Sequence, residues 1–158
     1  MALIHEQLYQ SEYLDRIDLP PYVENLVANL YQSFGCGNTA IQFTLNVDPI
    51  CLNIETAIPC GLIINELVSN SLKYAFPPSL GGEISINFFK DSNHQFNLTI
   101  QDNGRGFPEN FDVENTETLG LQLVKMLAYQ LEASIAIDSQ CGTCYNLIFK
   151  ELNYRQRI

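Results

Sequence analysis

Residues 58–76 read IPCGLIINELVSNSLKYAF, and the periodicity of this stretch decides what kind of fold the chain adopts. A helix advances about 100° per residue, which brings Glu66, Asn70 and Lys73 into a narrow arc of a helix running from Leu62 to Ala75. Ile64, Leu67, Val68 and Leu72 fall on the broadly opposite side. One face is apolar; the other carries a carboxylate, an amide and an ammonium in line. Pro59 is acceptable in a first turn, and Pro77-Pro78 stop the helix. An ordinary amphipathic helix with a solvated polar face accounts for this pattern. A reactive site accounts for it too. An amide oxygen can ligate Mg²⁺, a carboxylate can orient or deprotonate a nucleophile, and a lysine can meet a phosphate.

Outward from this helix the period switches. On the N-terminal side, Ile41, Phe43, Leu45 and Val47 alternate as a strand, a turn follows at Asp48-Pro49, and a short strand runs from about Cys51 to Ile54. Before them, Pro20 to Phe34 places Val23, Leu26, Val27, Leu30, Tyr31 and Phe34 at helical spacing, with Asp18 and two prolines at its start. The cluster Gly35-Cys36-Gly37-Asn38 ends it. Ala2 to Leu14 carries Leu3, Ile4 and Leu8 at helical spacing but is short and polar elsewhere, a helix that needs a partner surface. On the C-terminal side, Ile84, Ile86 and Phe88 alternate, Asp91-Ser92-Asn93 reads as a hairpin turn, and Phe96, Leu98 and Ile100 form the returning strand. A helix from about Gly120 to Gln130 and strands at 134–138 and 143–149 complete the chain. The order predicts an α+β fold, a two-layer α/β sandwich whose mixed, mostly antiparallel sheet is covered by helices on one face.

Two glycine-bearing segments follow the helix of residues 58–76 in the chain. DNGRGFP, residues 102–108, leaves a strand directly, and Gly104 and Gly106 let the backbone turn sharply and approach a ligand. Asp102 can accept a hydrogen bond from an exocyclic amine such as adenine's; equally, D-N-G is common turn chemistry. Thr118-Leu119-Gly120-Leu121 opens a helix whose first amides suit a phosphate, or mark a capped start with Thr118 near the cap. Phe107 to Glu117 between them is polar and long enough for a lid. The sequence holds no P-loop, no Rossmann glycine fingerprint after a strand, and no nucleophile elbow.

Composition narrows the function classes. A chain of 158 residues that is 46% apolar can bury a real core in one domain. Its formal charge of −10 argues against a nucleic-acid backbone as partner, whereas a single nucleotide needs only a few local donors and a metal ion. No apolar run approaches the roughly eighteen residues of a membrane span, and MALIHEQLYQSEYLDR has no signal-peptide pattern. The expected location is the cytoplasm, with no membrane contact by this chain. Of five cysteines only Cys141 and Cys144 form a C-x-x-C pair. As zinc ligands they lack two partners, and as a redox motif they should open a helix, yet strand-like sequence flanks them.

Taken in order, these pieces resemble the GHKL ATPase family and, within it, the catalytic domain of sensor histidine kinases. NELVSNSLKYAF (65–76) resembles the asparagine box, DNGRGFP (102–108) the first glycine box, and TLGLQLV (118–124) the second. Gly142-Thr143 stands where the family has its final Gly-Thr element. The resemblance covers roughly residues 20–150, and four elements in the correct order are far more specific than any one of them. It implies that Asn70 ligates Mg²⁺ and that Glu66 is the catalytic carboxylate beside the γ-phosphate. It assigns Lys73 to the phosphates, Tyr74 to the adenine pocket and Asp102 to the adenine amine. Gly104 and Gly106 shape that pocket, and Thr143 supports Asp102. Thr118, Leu119, Gly120 and Leu121 surround the phosphates. The cofactors implied are ATP and Mg²⁺.

The resemblance further implies a division into residues 1–18, the tail of a dimerisation region with its linker, residues 19–150, the ATP-binding domain, and residues 151–158, a tail. ALIHEQLYQSE is similar to the end of the dimerisation region in one histidine-kinase subfamily, whose phosphoacceptor block stands well upstream and is missing here. His5 therefore reads as structural or exposed, and His94 as a solvated turn residue. The second glycine box departs from the family where Thr118 replaces a frequent glycine, and the lid is short. The expected function is transfer of the γ-phosphoryl group to a histidine outside this fragment, on the same kinase or its dimer mate, and onward to a response-regulator receiver domain. The chain by itself is not expected to phosphorylate itself. An anti-sigma-type serine/threonine kinase of the same fold is an alternative, as is a non-catalytic nucleotide-binding module; the dimerisation-like helix favours the histidine kinase.

Overall fold

A short strand, β1 (Arg16–Asp18), runs directly into helix α1 (Leu19–Leu30) in the computed structural model, which describes residues 16–35, 41–77, 81–107 and 119–152. The first-segment helix with His5, the lid beyond Phe107, Thr118 and Cys36 all lie outside the described residues. Prolines in the first turn of α1 cost nothing, because amides there have no intrahelical partner. Leu19, Tyr22, Val23, Leu26, Val27 and Leu30 make its buried stripe. The helix finishes in a π turn, Tyr31–Gly35.

Strand β2 (Ile41–Val47) and the short β3 (Cys51–Asn53) follow. β3 pairs antiparallel with β1 as a separate two-stranded sheet, matching Ile17 with Leu52, and both side chains are fully buried. The sequence reading left residues 16–18 in a linker. Pairing with residues 51–53, far off in the chain, brings them into the body of the fold.

Helix α2 (Ile54–Asn70) begins four residues before the expected Ile58. Asn53 explains the difference: its side-chain oxygen accepts from the Thr56 amide at 3.0 Å and the Thr56 hydroxyl at 2.6 Å, capping the helix. Pro59 consequently lies within the helix rather than at its start, where it withholds one i→i−4 hydrogen bond. The cap also ties down the far end of the chain. Asn53 Nδ2 donates to the Leu152 carbonyl at 2.5 Å, and the Leu152 amide donates to Thr56 Oγ1 at 2.9 Å. Arg16 meets Glu151 at 3.2 Å beside them. Residues 151 and 152, expected as tail, are thus part of the body. α2 finishes in a second π turn, Ser71–Ala75.

Strands β4 (Gly82–Lys90) and β5 (Phe96–Asp102), helix α3 (Leu119–Gln130) and strands β6 (Ser134–Asp138) and β7 (Thr143–Phe149) complete the described elements. The main sheet has the order β2-β4-β5-β7-β6; β2 and β4 are parallel and the other pairs antiparallel. The architecture is the expected α+β sandwich with a mixed sheet.

Strand alternation sorts the side chains. Ile84, Ile86 and Phe88 of β4, Phe96, Leu98 and Ile100 of β5, and Tyr145, Leu147 and Phe149 of β7 are all buried. Ile63, Ile64, Leu67 and Val68 of α2 are buried with them, so the apolar arc read from the sequence is the core face. Phe88, Phe96 and Phe149 meet at centroid separations of 5.8 to 6.4 Å at the end of the sheet where β5 begins. At the opposite end, the same inward register delivers Asp102 and Thr143 as a directly opposed pair. Among the described residues no helix is long and apolar enough to cross a membrane.

Candidate functional site

Placing an aspartate on the core-facing side of a central strand is costly unless its carboxylate is satisfied. Asp102 is 2% exposed and accepts four hydrogen bonds. Oδ2 accepts from Ser71 Oγ at 2.7 Å and from Thr143 Oγ1 at 2.5 Å. Oδ1 accepts from the amides of Gly104 at 3.0 Å and Thr143 at 3.2 Å. These donors come from the π turn after α2, the loop after β5 and the start of β7. Neither hydroxyl nor either amide is close to Asp102 in the chain except Gly104.

Two glycines make this convergence possible. Gly142 has φ +86°, and a β-carbon there would collide with the Asp102 carbonyl oxygen. Gly104 packs its α-carbon on Ala75, where a β-carbon would collide with the Ala75 carbonyl oxygen. That carbonyl accepts from the Arg105 amide at 2.9 Å, pinning the loop to the end of α2.

Above Asp102 opens a cavity of about 620 Å³, within the size range of small-ligand sites. Nine of the residues singled out from the sequence line it: Asn70, Lys73, Tyr74, Asp102, Gly106, Leu119, Gly120, Leu121 and Thr143. Glu66 and Gly104 stand just behind the wall. A β-carbon on Gly120 would lie 3.0 Å from Glu66 Oε2 and 3.5 Å from Asn70 Nδ2, so the first turn of α3 faces both polar groups of α2. Amides at that helix start have no intrahelical partners and carry the positive end of the dipole. The cavity therefore has an acceptor at Asp102 and, at Gly120, helix-start amides with the Glu66 carboxylate behind them.

Sequence reasoning missed Ser71, Arg105, Phe107 and Tyr145, which also line the cavity. For Tyr145 a signal existed, since it follows Thr143 by two residues on the same strand face. Its phenol is pushed well above the ordinary tyrosine range by burial and then by the Asp102 charge, and so stays neutral. Its ring meets Phe107 edge-on at 6.5 Å. Ser71 had no comparable signal: in an ideal helix it lies about 100° from Asn70. Lys73 is exposed, with its ammonium 4.7 Å from the centroid of the Phe34 ring. Tyr74 is 66% exposed at the rim.

The C-x-x-C pair flanks Gly142-Thr143, with Cys141 exposed and both thiols free. Burial, followed by Asp138, raises the Cys144 thiol above its ordinary value, the reverse of what a reactive redox cysteine needs. Among the described residues no group of three or more His, Cys, Asp or Glu is placed to hold a metal ion.

Comparison with known proteins places the chain among relatives. Residues 55–153 match the model of the family described as histidine kinase-, DNA gyrase B-, and HSP90-like ATPase, and residues 1–34 match one described as histidine kinase. Blue-light-activated histidine kinase 2 of Erythrobacter litoralis is 31% identical over 112 residues, covering 70% of this chain and 32% of that protein. The sensor histidine kinase PdtaS of Mycobacterium tuberculosis is 29% identical over 147 residues, covering 87% of this chain and 27% of that one. The chain thus spans about a third or less of the curated relatives it matches. Among solved structures, the blue-light activated histidine kinase EL346 of Erythrobacter litoralis superposes with a TM-score of 0.84 at 27% identity, covering 95% of this chain and 51% of that one. The mycobacterial sensor histidine kinase MprB, at 17% identity and a TM-score of 0.66, shares the fold.

Proposed function

This chain belongs to the histidine kinase-, DNA gyrase B-, and HSP90-like ATPase family, and we propose that it is the ATP-binding catalytic domain of a sensor histidine kinase, donating the γ-phosphoryl group of Mg-ATP to a histidine that this sequence does not supply. The observation that carries the reading is the buried Asp102 carboxylate, held by four donors in the lining of a cavity that Gly120 and Asn70 also line, with Glu66 next to Gly120 behind them. The adenine amine donates to Asp102. Thr143 and Ser71 keep the carboxylate in one orientation, so little ordering is left to the ligand. The exposed ring of Tyr74 covers the base at the rim, and the first amides of α3 around Gly120 receive phosphate oxygens.

The residues fit a magnesium ion held in part by the nucleotide. The Asn70 side-chain amide stands beside the start of α3 with Nδ2 towards Gly120; turned about its amide plane it would present an oxygen, and Mg²⁺ commonly takes only one or two protein ligands together with substrate phosphates. Bound there, the ion would neutralise charge developing on the phosphates. Lys73 supplies a further cation. We assign Glu66 as the carboxylate that takes the proton lost from the other, non-attacking ring nitrogen of the acceptor imidazole. In the transfer, the nitrogen–phosphorus bond forms as the bond from the γ-phosphorus to the ADP oxygen breaks, and the imidazole proton passes to Glu66. Positioning and charge stabilisation carry most of such a reaction. The receiver domain of a response regulator is the expected next acceptor.

Calorimetric titration of the chain with ATP and GTP, each with and without Mg²⁺, tests the reading. ATP should bind selectively, because a guanine carbonyl would face the Asp102 carboxylate, and Mg²⁺ should strengthen binding. Equal affinity for ATP and GTP would remove Asp102 from its role. Incubation with radiolabelled ATP should leave no stable phosphohistidine on this chain; label at His5 would overturn the assignment of the acceptor to another segment.

A further inference from the structure

The two π turns that end α1 and α2 pack against each other, and Phe34 and Lys73 meet at that junction. Phe34 is 46% exposed, so the ring does not sit there as core. Its face lies 4.7 Å from the Lys73 ammonium, within the range of a cation–π contact. Among the described residues Lys73 has no carboxylate partner. Lys73 also lines the cavity, one turn beyond Asn70.

We propose that Phe34 is a positioning residue, holding the Lys73 ammonium at the cavity wall in readiness for an anionic ligand. The inference rests on the reading of the cavity as a nucleotide site and adds to it a residue from the π turn after α1. A lysine side chain is long and strongly hydrated, and fixing it on ligand binding costs rotamer freedom. The ring removes part of that cost in advance. It does so without neutralising the charge, as a carboxylate would, and its π face leaves ammonium protons free for phosphate oxygens.

The test is calorimetry with Mg-ATP and with adenosine on the wild-type chain and on Phe34→Leu, Phe34→Tyr, Lys73→Met and the Phe34→Leu/Lys73→Met double variant. Phe34→Leu should weaken ATP binding about two- to fivefold and leave adenosine affinity unchanged. Phe34→Tyr should retain wild-type ATP affinity, and Phe34→Leu should have no effect in the Lys73→Met background. Equal losses with leucine and tyrosine, a parallel loss for adenosine, or a full effect without Lys73 would each overturn the proposal in favour of simple packing. Phe34→Met replaces Phe34→Leu should the latter lower the melting temperature. A wild-type chain that fails to bind ATP defeats the nucleotide reading itself; ATP binding that is indifferent to Phe34→Leu defeats only the role of Phe34.

Discussion

The β4–β5 hairpin offers two aspartates in contrasting settings, Asp91 in its turn and Asp102 where β5 ends. Asp91 Oδ1 accepts from the amides of Asn93 at 2.8 Å and Gln95 at 3.0 Å, and Oδ2 from Asn97 Nδ2 at 3.1 Å. Every donor lies within six residues, so these bonds close a loop and nothing more. The Gln95 amide first, helped by Asn97, Asn93 and the nearby His94, outweighs the opposing desolvation and holds the Asp91 carboxyl below the usual aspartate range. Asp102 accepts four bonds to the three of Asp91, but Ser71 is 31 residues away and Thr143 is 41. Those bonds join α2, β5 and β7 around a cavity. Local satisfaction makes a turn; long-range satisfaction makes a site, because only it fixes distant elements relative to one another.

Substitutions at the two ends should therefore differ in kind. The largest loss of stability is expected from Gly142→Ala, which forces a β-carbon into the Asp102 backbone at positive φ; thermal melting should report about 2–4 kcal/mol. A melting temperature near wild type would mean that the β6–β7 turn yields without cost. Asp102→Ala should lower ATP affinity by about tenfold to a hundredfold, the range for a hydrogen bond to a charged group. Asn70→Ala should also weaken ATP binding, chiefly in the presence of Mg²⁺. Near-wild-type Mg-ATP affinity in both would sink the site assignment. Ser71→Ala removes one donor of four and should cost about 0.5–1.5 kcal/mol of stability, with a loss of ATP affinity smaller than that of Asp102→Ala.

The smallest effect belongs to Asp91→Ala, which should leave ATP affinity unchanged and lower the melting temperature slightly. The sign of its pH dependence follows from the depressed carboxyl. The native state favours the ionised form, so the contribution is present in full above about pH 5 and fades as acid titrates the folded carboxylate. The melting difference between Asp91→Ala and wild type should shrink below about pH 4. A difference that grows in acid would contradict the hydrogen-bond account of the turn.

The same contrast governs what could be read in advance. D-S-N announced a turn because Asx chemistry is complete within a few residues. The β6 and β7 spans and the apolar arc of α2 were legible from period alone. The start of α2 was not, because Asn53 gains its value partly from Leu152. β1 was equally hidden, since three residues make a strand only when a partner is present. At the site, Asn70, Asp102, Gly120 and Thr143 were legible as motif residues. Ser71 and Arg105 were not: the first depends on a π turn, and the second on a loop pinned to Ala75.

By itself, the sequence determined the types of the described helices and of every strand but β1, the inward faces of those elements, the nucleotide-binding chemistry on offer and the order in which its pieces occur. Periodicity and turn chemistry are local, and local preferences survive without knowledge of the rest of the chain. Only the tertiary structure decided that Ser71 and Thr143 share one carboxylate, that Gly120 faces Glu66, and that a ring from the π turn after α1 meets Lys73. Those are contacts between segments tens of residues apart, and they form because burying the common core brings the ends of α2, β5 and β7 together.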